Sequence, residues 1–219
     1  QNNGIKNFKK KQFNNFKLFY NTSDNNIMID RNNKVIDFRQ FSKNDRFVLI
    51  GNIDQWSLNF NGSNKNHSQL SYKRDKNMLG GCITILNSKL KDLKIDIRNA
   101  YCPNAIELLN TDGHIKDIKI EESSLDGFDA EFSNLEINLI KVNQTYGECI
   151  GVKRGNYIIK KAILINCGDK AISSGEHSST QIKNSEISRS ESGIIAKDSS
   201  EVTVNKLDYN GGKKCIHSY

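Results

Sequence analysis

The sequence predicts an all-β chain wound as a right-handed parallel β-helix, a solenoid of 22-residue coils with three short strands in each. Three observations predict it. A small residue followed by an apolar one recurs every 22 positions, at Ala105-Ile106, Gly127-Phe128, Cys149-Ile150, Ala171-Ile172, Gly193-Ile194 and Cys215-Ile216. A fixed period of this length marks stacked structural repeats. Within each repeat the apolar residues come in bursts two apart, which is the period of a strand with alternate side chains on one side. Proline is nearly absent: Pro103 is the only one. A parallel ladder that uses almost every backbone N–H requires that.

The elements follow in chain order. Residues 1–46 read as an N-terminal cap. Phe13, Phe16, Leu18, Phe19 and Tyr20 make a short helix or strand over the first coil, and Ile27 to Ile29, then Val35, Ile36 and Phe38, are strand candidates. An open terminal coil would expose ladder groups and apolar columns, so a plug is expected. The β-helix occupies 47–219. Phe47 to Ile50, then Trp56, Leu58 and Phe60, are its first strands, and the polar stretch 61–79 is an excursion loop flanking a binding face. Cys82 to Ile85 resume the winding, and strict register begins near residue 104. One full coil carries Phe128 with Ala130, Leu135 with Ile137, and Ile140 with Val142. The small residue before each register position marks a bend where a branched Cβ would clash. The chain begins with Gln and ends at Tyr219, shortly after a coil restarts at Cys215. It reads as a fragment of a longer protein, whose other domains would be its partners.

Charge is uneven. Residues 1–80 hold 14 Lys and Arg against 6 Asp and Glu, whereas 81–219 hold 18 against 19. The overall charge of +7 therefore belongs to the N-terminal part, where Lys6, Lys9, Lys10, Lys11 and Lys17 form a solvated basic face. Neither an RNA-binding aromatic motif nor a helix-turn-helix pattern nor zinc spacing accompanies it, so nucleic acid is not the expected partner. No apolar run is long enough to span a membrane. His67, His114, His177 and His217 are too dispersed for a zinc site or a triad. Cys82, Cys102, Cys149, Cys167 and Cys215 form no Cys-x-x-Cys pair. Cys149 and Cys215 lie three coils apart, so they cannot bond to each other. The thiols read as buried small apolar groups.

The register also says which polar side chains are neighbours. Asp126, Asp129, Glu131, Glu148, Lys153, Arg154, Asp169, Lys170 and Glu176 fall on or near one face over three coils. Equivalent residues on adjacent coils lie about 5 Å apart, and on alternate coils about 10 Å. Paired carboxylates at such separations suit retaining and inverting glycosidases respectively. Asp126 above Glu148, or Asp129 beside Glu131, would supply a pair. Lys153, Arg154 or Lys170 would alternatively act as the base in β-elimination of a uronate. Glu131 over Lys153 and Glu148 over Lys170 are equally favourable cross-strand ion pairs. No cofactor is required by any spacing; a divalent cation such as calcium would suit the carboxylates.

Gly168-Asp169-Lys170-Ala171-Ile172-Ser173-Ser174-Gly175-Glu176-His177-Ser178 and Gly193-Ile194-Ile195-Ala196-Lys197-Asp198-Ser199-Ser200 resemble coils of the right-handed parallel β-helix proteins of the pectate-lyase-like superfamily, bacterial surface-polysaccharide members above all. The resemblance covers 82–219. It implies cleavage, epimerisation or binding of acidic polysaccharides by a secreted or cell-surface protein. Gly168-Asp169-Lys170 is similar to the Gly-Asp-Asp of polygalacturonases, with Lys170 in place of the second acid. The Gly-His-Gly and Arg-Ile-Lys segments of those enzymes, and the Arg-x-Pro-x-x-Arg of pectate lyases, are missing. Two functions remain open: a domain that binds or cleaves polysaccharide, as a lyase or hydrolase, and a non-catalytic structural or adhesive scaffold in a larger surface assembly.

Overall fold

A computed structural model of the chain describes residue 5, residues 7–63 and residues 74–219. It is a β-solenoid of about eight turns, essentially without helix. Seventeen strands are present among the described residues: β1 (Lys9–Gln12), β2 (Phe16–Tyr20), β3 (Ile27–Asp30), β4 (Val35–Arg39), β5 (Phe47–Asp54), β6 (Ser57–Asn61), β7 (Gly81–Ala100), β8 (Asn104–Ser123), β9 (Asp126–Glu131), β10 (Asn134–Thr145), β11 (Ile150–Lys153), β12 (Asn156–Cys167), β13 (Lys170–Gly175), β14 (Ser179–Ser188), β15 (Ser192–Ala196), β16 (Glu201–Asn210) and β17 (Lys214–Ser218).

Stacking follows the predicted register. Ile106 pairs with Phe128, Phe128 with Ile150, Ile150 with Ile172, Ile172 with Ile194 and Ile194 with Ile216, all in parallel. Ile106 to Ile194 in this column are fully buried. Each such side chain contributes about 1.5–3 kcal/mol by leaving water. β-Branched residues suit the position because their stiff side chains stack on the pleat. The bend before the column is tight: a Cβ on Gly127 would stand 2.7 Å from the Cys149 carbonyl oxygen.

The period is not perfectly uniform. Ile83 pairs with Ile106, a step of 23, and Ile159 pairs with Ile182 with one extra residue. That residue is absorbed at Glu176-His177, both in the left-handed region (φ 51° and 60°). Left-handed corners recur in two columns, one through Asn110, Phe132, Arg154 and Glu176, the other through Asn99, Glu122, Gln144, Asn166 and Arg189. Asn tolerates this conformation best among residues with a Cβ. Asn side chains also bond upward from coil to coil: Asn156 Nδ2 donates to Asn134 Oδ1 (2.7 Å), and Asn134 Nδ2 to Asp112 Oδ1 (2.9 Å).

Residues 1–46 contain strand rather than helix around Phe16. β1 and β2 form a hairpin, and β2 pairs antiparallel with β5, Leu18 opposite Leu49. The first coil's edge is thereby covered. β4 already obeys the 22-residue step, Val35 pairing with Ser57. Phe13, Phe16 and Trp56 pack ring against ring at 4.2–5.2 Å and fill the end of the core.

The cysteines correct the expectation of free thiols. Cys82 is bonded to Cys102 and Cys149 to Cys167, over separations of 20 and 18 residues. Slightly less than one coil of chain returns the second cysteine to the side of the first, with Cα atoms 5.4 Å apart in both bridges. Cys215 is free and exposed, not buried. No helix among the described residues is long and apolar enough to cross a membrane.

Candidate functional site

The start of β8 and β9, β11 and β13 lie side by side, and their outward residues make two columns. One reads Glu107, Asp129, Gly151, Ser173; the other Leu109, Glu131, Lys153, Gly175. Small residues at 151, 173 and 175 leave a depression among larger neighbours. This is a cleft of about 180 Å³ lined by Asn104, Asp126, Asp129, Glu148, Gly151, Val152, Lys153, Ser173, Gly175 and Lys197.

Gly151 is the centre of it. A Cβ there would meet Glu148 Oε2 at 3.0 Å and Asp129 Oδ1 at 3.1 Å. The two oxygens are therefore no further apart than about 6 Å. Their surroundings differ. Asp129 is buried, and its Oδ2 has no hydrogen-bond partner among the described residues. Burial pushes its titration from 3.8 up to about 7; Lys153 pulls against this, while Glu131, Glu107 and Asp126 add to it. Glu148 instead faces Lys170, Nζ to Oε1 at 3.1 Å.

Asp126 does not pair with the Glu148 carboxyl as its place in the same column suggested. Its Oδ1 accepts the backbone N–H of Glu148 at 2.8 Å, fixing the strand that carries Glu148. Burial raises Asp126 to about 6, the Glu148 N–H opposes, and the charges of Glu148 and Asp169 reinforce it. Glu131 lies 2.9 Å from Lys153, whose ammonium also stands 4.0 Å from Asp129. Both expected cross-coil ion pairs are thus present.

Five sequence candidates do not line the cleft: Glu131, which flanks it through Lys153, and Arg154, Asp169, Lys170 and Glu176. Arg154 and Glu176 sit at left-handed corners (φ 48° and 51°), where the chain turns off the strand. Arg154 bonds Glu176 at 2.8 Å and lies over the Phe132 ring at 4.8 Å. Asp169 is half-exposed in the turn before β13 and pairs with Lys170. Lys170 itself lies behind Glu148 rather than in the cleft.

Asn104, Gly151, Ser173, Gly175 and Lys197 were missed as site residues. The alternation of large and small side chains within the two columns was the signal for the depression. Glu107 was missed as well, and it is structural: Gly80 N–H (3.0 Å), Gly81 N–H (3.3 Å), the Thr84 hydroxyl (3.3 Å) and Arg74 (2.9 Å) all bond it. Arg74 reaches Glu131 too, at 3.4 Å, so this end of the predicted 61–79 excursion does adjoin the site. Residues 64–73 of that excursion lie outside the described residues. Among the described residues no group of three or more His, Cys, Asp or Glu side chains is placed to hold a metal ion.

A larger, open cleft of about 440 Å³ lies on another face, lined by Asp37, Arg39, Asn59, Asn61, Asp96 and Arg98 among others. Its acids are bonded to neighbours, Asp37 to Asn59 (2.9 Å) and Asp96 to Arg98 (3.2 Å), and no carboxyl is buried there. Size alone therefore does not identify the site. No protein-family model, no curated protein and no solved structure matches this chain.

Proposed function

We propose that the protein binds and cleaves a polysaccharide at the Gly151 cleft, as a β-helix of the pectate-lyase-like kind. One observation carries the reading: Asp129 and Glu148 converge on a single glycine from neighbouring coils in opposite electrostatic settings. An upper bound of about 6 Å between the two oxygens falls short of the roughly 6.5–9.5 Å that inverting glycosidases leave for a water, and accommodates the roughly 5–5.5 Å of retaining ones. Asp129, titrating near 7, holds a proton and acts as general acid. Glu148, opposite a lysine, acts as the nucleophile. Glu148 attacks the anomeric carbon while Asp129 protonates the departing oxygen. Asp129 then takes a proton from the water that hydrolyses the glycosyl ester.

Lys153 and Lys197 line the same cleft and favour an acidic chain. Successive coils at about 4.8 Å give an extended polymer a regular surface to follow. Two disulfides support a secreted or cell-surface setting. The test is depolymerisation of a panel of acidic and neutral polysaccharides, read by new reducing ends and by unsaturated products. Asp129→Asn and Glu148→Gln should each lower turnover by about 10²-fold or more. Wild-type turnover should fall as pH rises through about 7. Folded variants that turn over as well as the wild type would remove the assignment.

A non-catalytic scaffold is the second reading. It is supported by the ion pairs that tie coil to coil along the flanks, Arg154–Glu176 (2.8 Å) and Lys213–Glu191 (2.7 Å) among them. Binding to no glycan in the panel would favour it.

A further inference from the structure

Arg46 is buried at 3% exposure, yet no carboxylate lies within salt-bridge distance of it among the described residues. Its Nη1 donates to the carbonyls of Lys43 (2.7 Å) and Asp45 (2.9 Å) and to Cys102 Sγ (3.2 Å), while its Nε has no partner. Gln40 Nε2 donates to the same sulfur at 3.2 Å. Gln40 is itself clamped, its Oε1 accepting the Tyr101 N–H (3.1 Å) and its amide also bonding the Tyr101 carbonyl (3.1 Å). Asp75, Asp45 and Glu107 are the acids that act on Arg46 from further away. Asp45 is occupied by the N–H groups of Phe41 and Ser42, and Glu107 by Arg74 and the Gly80-Gly81 backbone. A cation taken out of water normally needs an anion in contact. Here the groups in contact are two backbone carbonyls and a neutral disulfide sulfur, none of them an anion.

We infer that Cys82–Cys102 is a redox-active disulfide whose reduced form holds Cys102 as a thiolate against Arg46 and Gln40. Reduction supplies the missing counter-charge. Cys82 and Cys102 are fully buried, which opposes a thiolate; the adjacent cation and amide donor act against that and stabilise the reduced form, so the bridge is easier to reduce than an equally buried one without a cation. The reaction with a dithiol is balanced as follows. One reductant thiolate attacks the Cys82 sulfur, the S–S bond breaks, and Cys102 leaves as a thiolate. The second reductant thiol, losing its proton, attacks the mixed disulfide and closes the oxidised reductant. Cys82 leaves and takes up a proton. Two electrons pass to the protein; its products are one thiol and one thiolate, with one proton released.

The second bridge is the internal reference. Cys149 Sγ has the Thr145 hydroxyl at 3.6 Å and, among the described residues, no cation bonded to it. The experiment equilibrates the full chain in buffers of graded reduced to oxidised dithiothreitol, quenches with acid, alkylates after unfolding, and counts both pairs by peptide mass spectrometry. Cys82–Cys102 should be half-reduced at a reduced-to-oxidised ratio at least about tenfold lower than Cys149–Cys167, and Arg46→Gln should close that gap. Coincident titration of the two bridges, or a gap untouched by Arg46→Gln in a folded variant, would overturn the inference. Should Arg46→Gln not fold, Cys82→Ala combined with Cys215→Ser, which leaves Cys102 as the one free thiol, decides it through the ultraviolet absorbance of the Cys102 thiolate against pH. A midpoint below the roughly 8.5 of a free cysteine supports it, and one at or above that value overturns it.

Discussion

The ammonium of Lys153 lies 2.9 Å from Glu131 and 4.0 Å from Asp129, so one cation serves two acids of the preceding coil. The share that Asp129 receives does not offset its burial, and the group titrates near 7 in the folded chain against 3.8 in water. Between those values the folded state keeps a proton that the unfolded state has lost. Stability from this carboxyl is therefore complete below about 3.8 and is lost as pH rises through about 7. Asp126, raised to about 6, acts in the same direction. Asp129→Asn removes the larger of the two effects. From about pH 4 to about pH 8 its stability relative to wild type should improve by about 2–4 kcal/mol. Urea midpoints of both proteins at the two values measure this, and a constant difference would contradict the burial of Asp129.

Gly151 has ordinary backbone geometry, so alanine is permitted there conformationally. Its Cβ would press on Glu148 Oε2 and Asp129 Oδ1, both of them ends of flexible side chains. Gly151→Ala should therefore cost about 1 kcal/mol or less in stability. Displacing two groups that must converge on one bond should lower turnover, or binding affinity for a cleaved glycan, by about tenfold or more. Thermal midpoints and titration with an active polysaccharide separate the two effects. A variant with full turnover would mean that substrate does not cross this glycine.

How far the site was legible depended on where each residue lay relative to a corner. Phe128 over Ile150 follows from spacing alone, because a solenoid turns sequence period into vertical neighbours. Glu131 and Lys153 were placed by the same rule. Arg154 and Glu176 were not, since extrapolating a strand through position 154 ignores the left-handed turn there. The richness in Asn has a structural use at Asn99, Asn110 and Asn166, all in left-handed corners, and in the Asn156–Asn134 ladder. The disulfides were hidden because only same-column cysteines were compared; separations of 18 and 20 fall just short of a coil and bring the chain back beside itself. Arg46 and two of its partners, Lys43 and Asp45, lie in the N-terminal segment before the repeat, so the period could not place them beside Cys102.

Ile150 and Ile172 touch through one ladder step at the middle of the core column, and both are fully buried. Either one changed to Ala should cost about 2–5 kcal/mol, the range set by how well the coil collapses on the void. Because the two share one cavity, the double variant should depart from additivity by about 0.5 kcal/mol or more. Denaturant unfolding of the three variants measures it. Strict additivity would mean the two side chains do not share a packing environment.

Lys153 and Arg154 are adjacent in sequence but should differ in consequence. Arg154 is half-exposed, paired with Glu176 and stacked on Phe132, away from the cleft. Arg154→Ala should change stability by about 1 kcal/mol or less and leave turnover unaltered. Lys153→Met removes the cation that holds Asp129 down, so the carboxyl should titrate above its wild-type value. If Asp129 is the general acid, the alkaline limb of the pH–rate profile should move upward by the same amount. NMR titration of the Asp129 carboxyl reads the shift without any substrate. An upward titration with an unmoved alkaline limb would leave Asp129 buried and coupled to Lys153 but would deny it the role of acid.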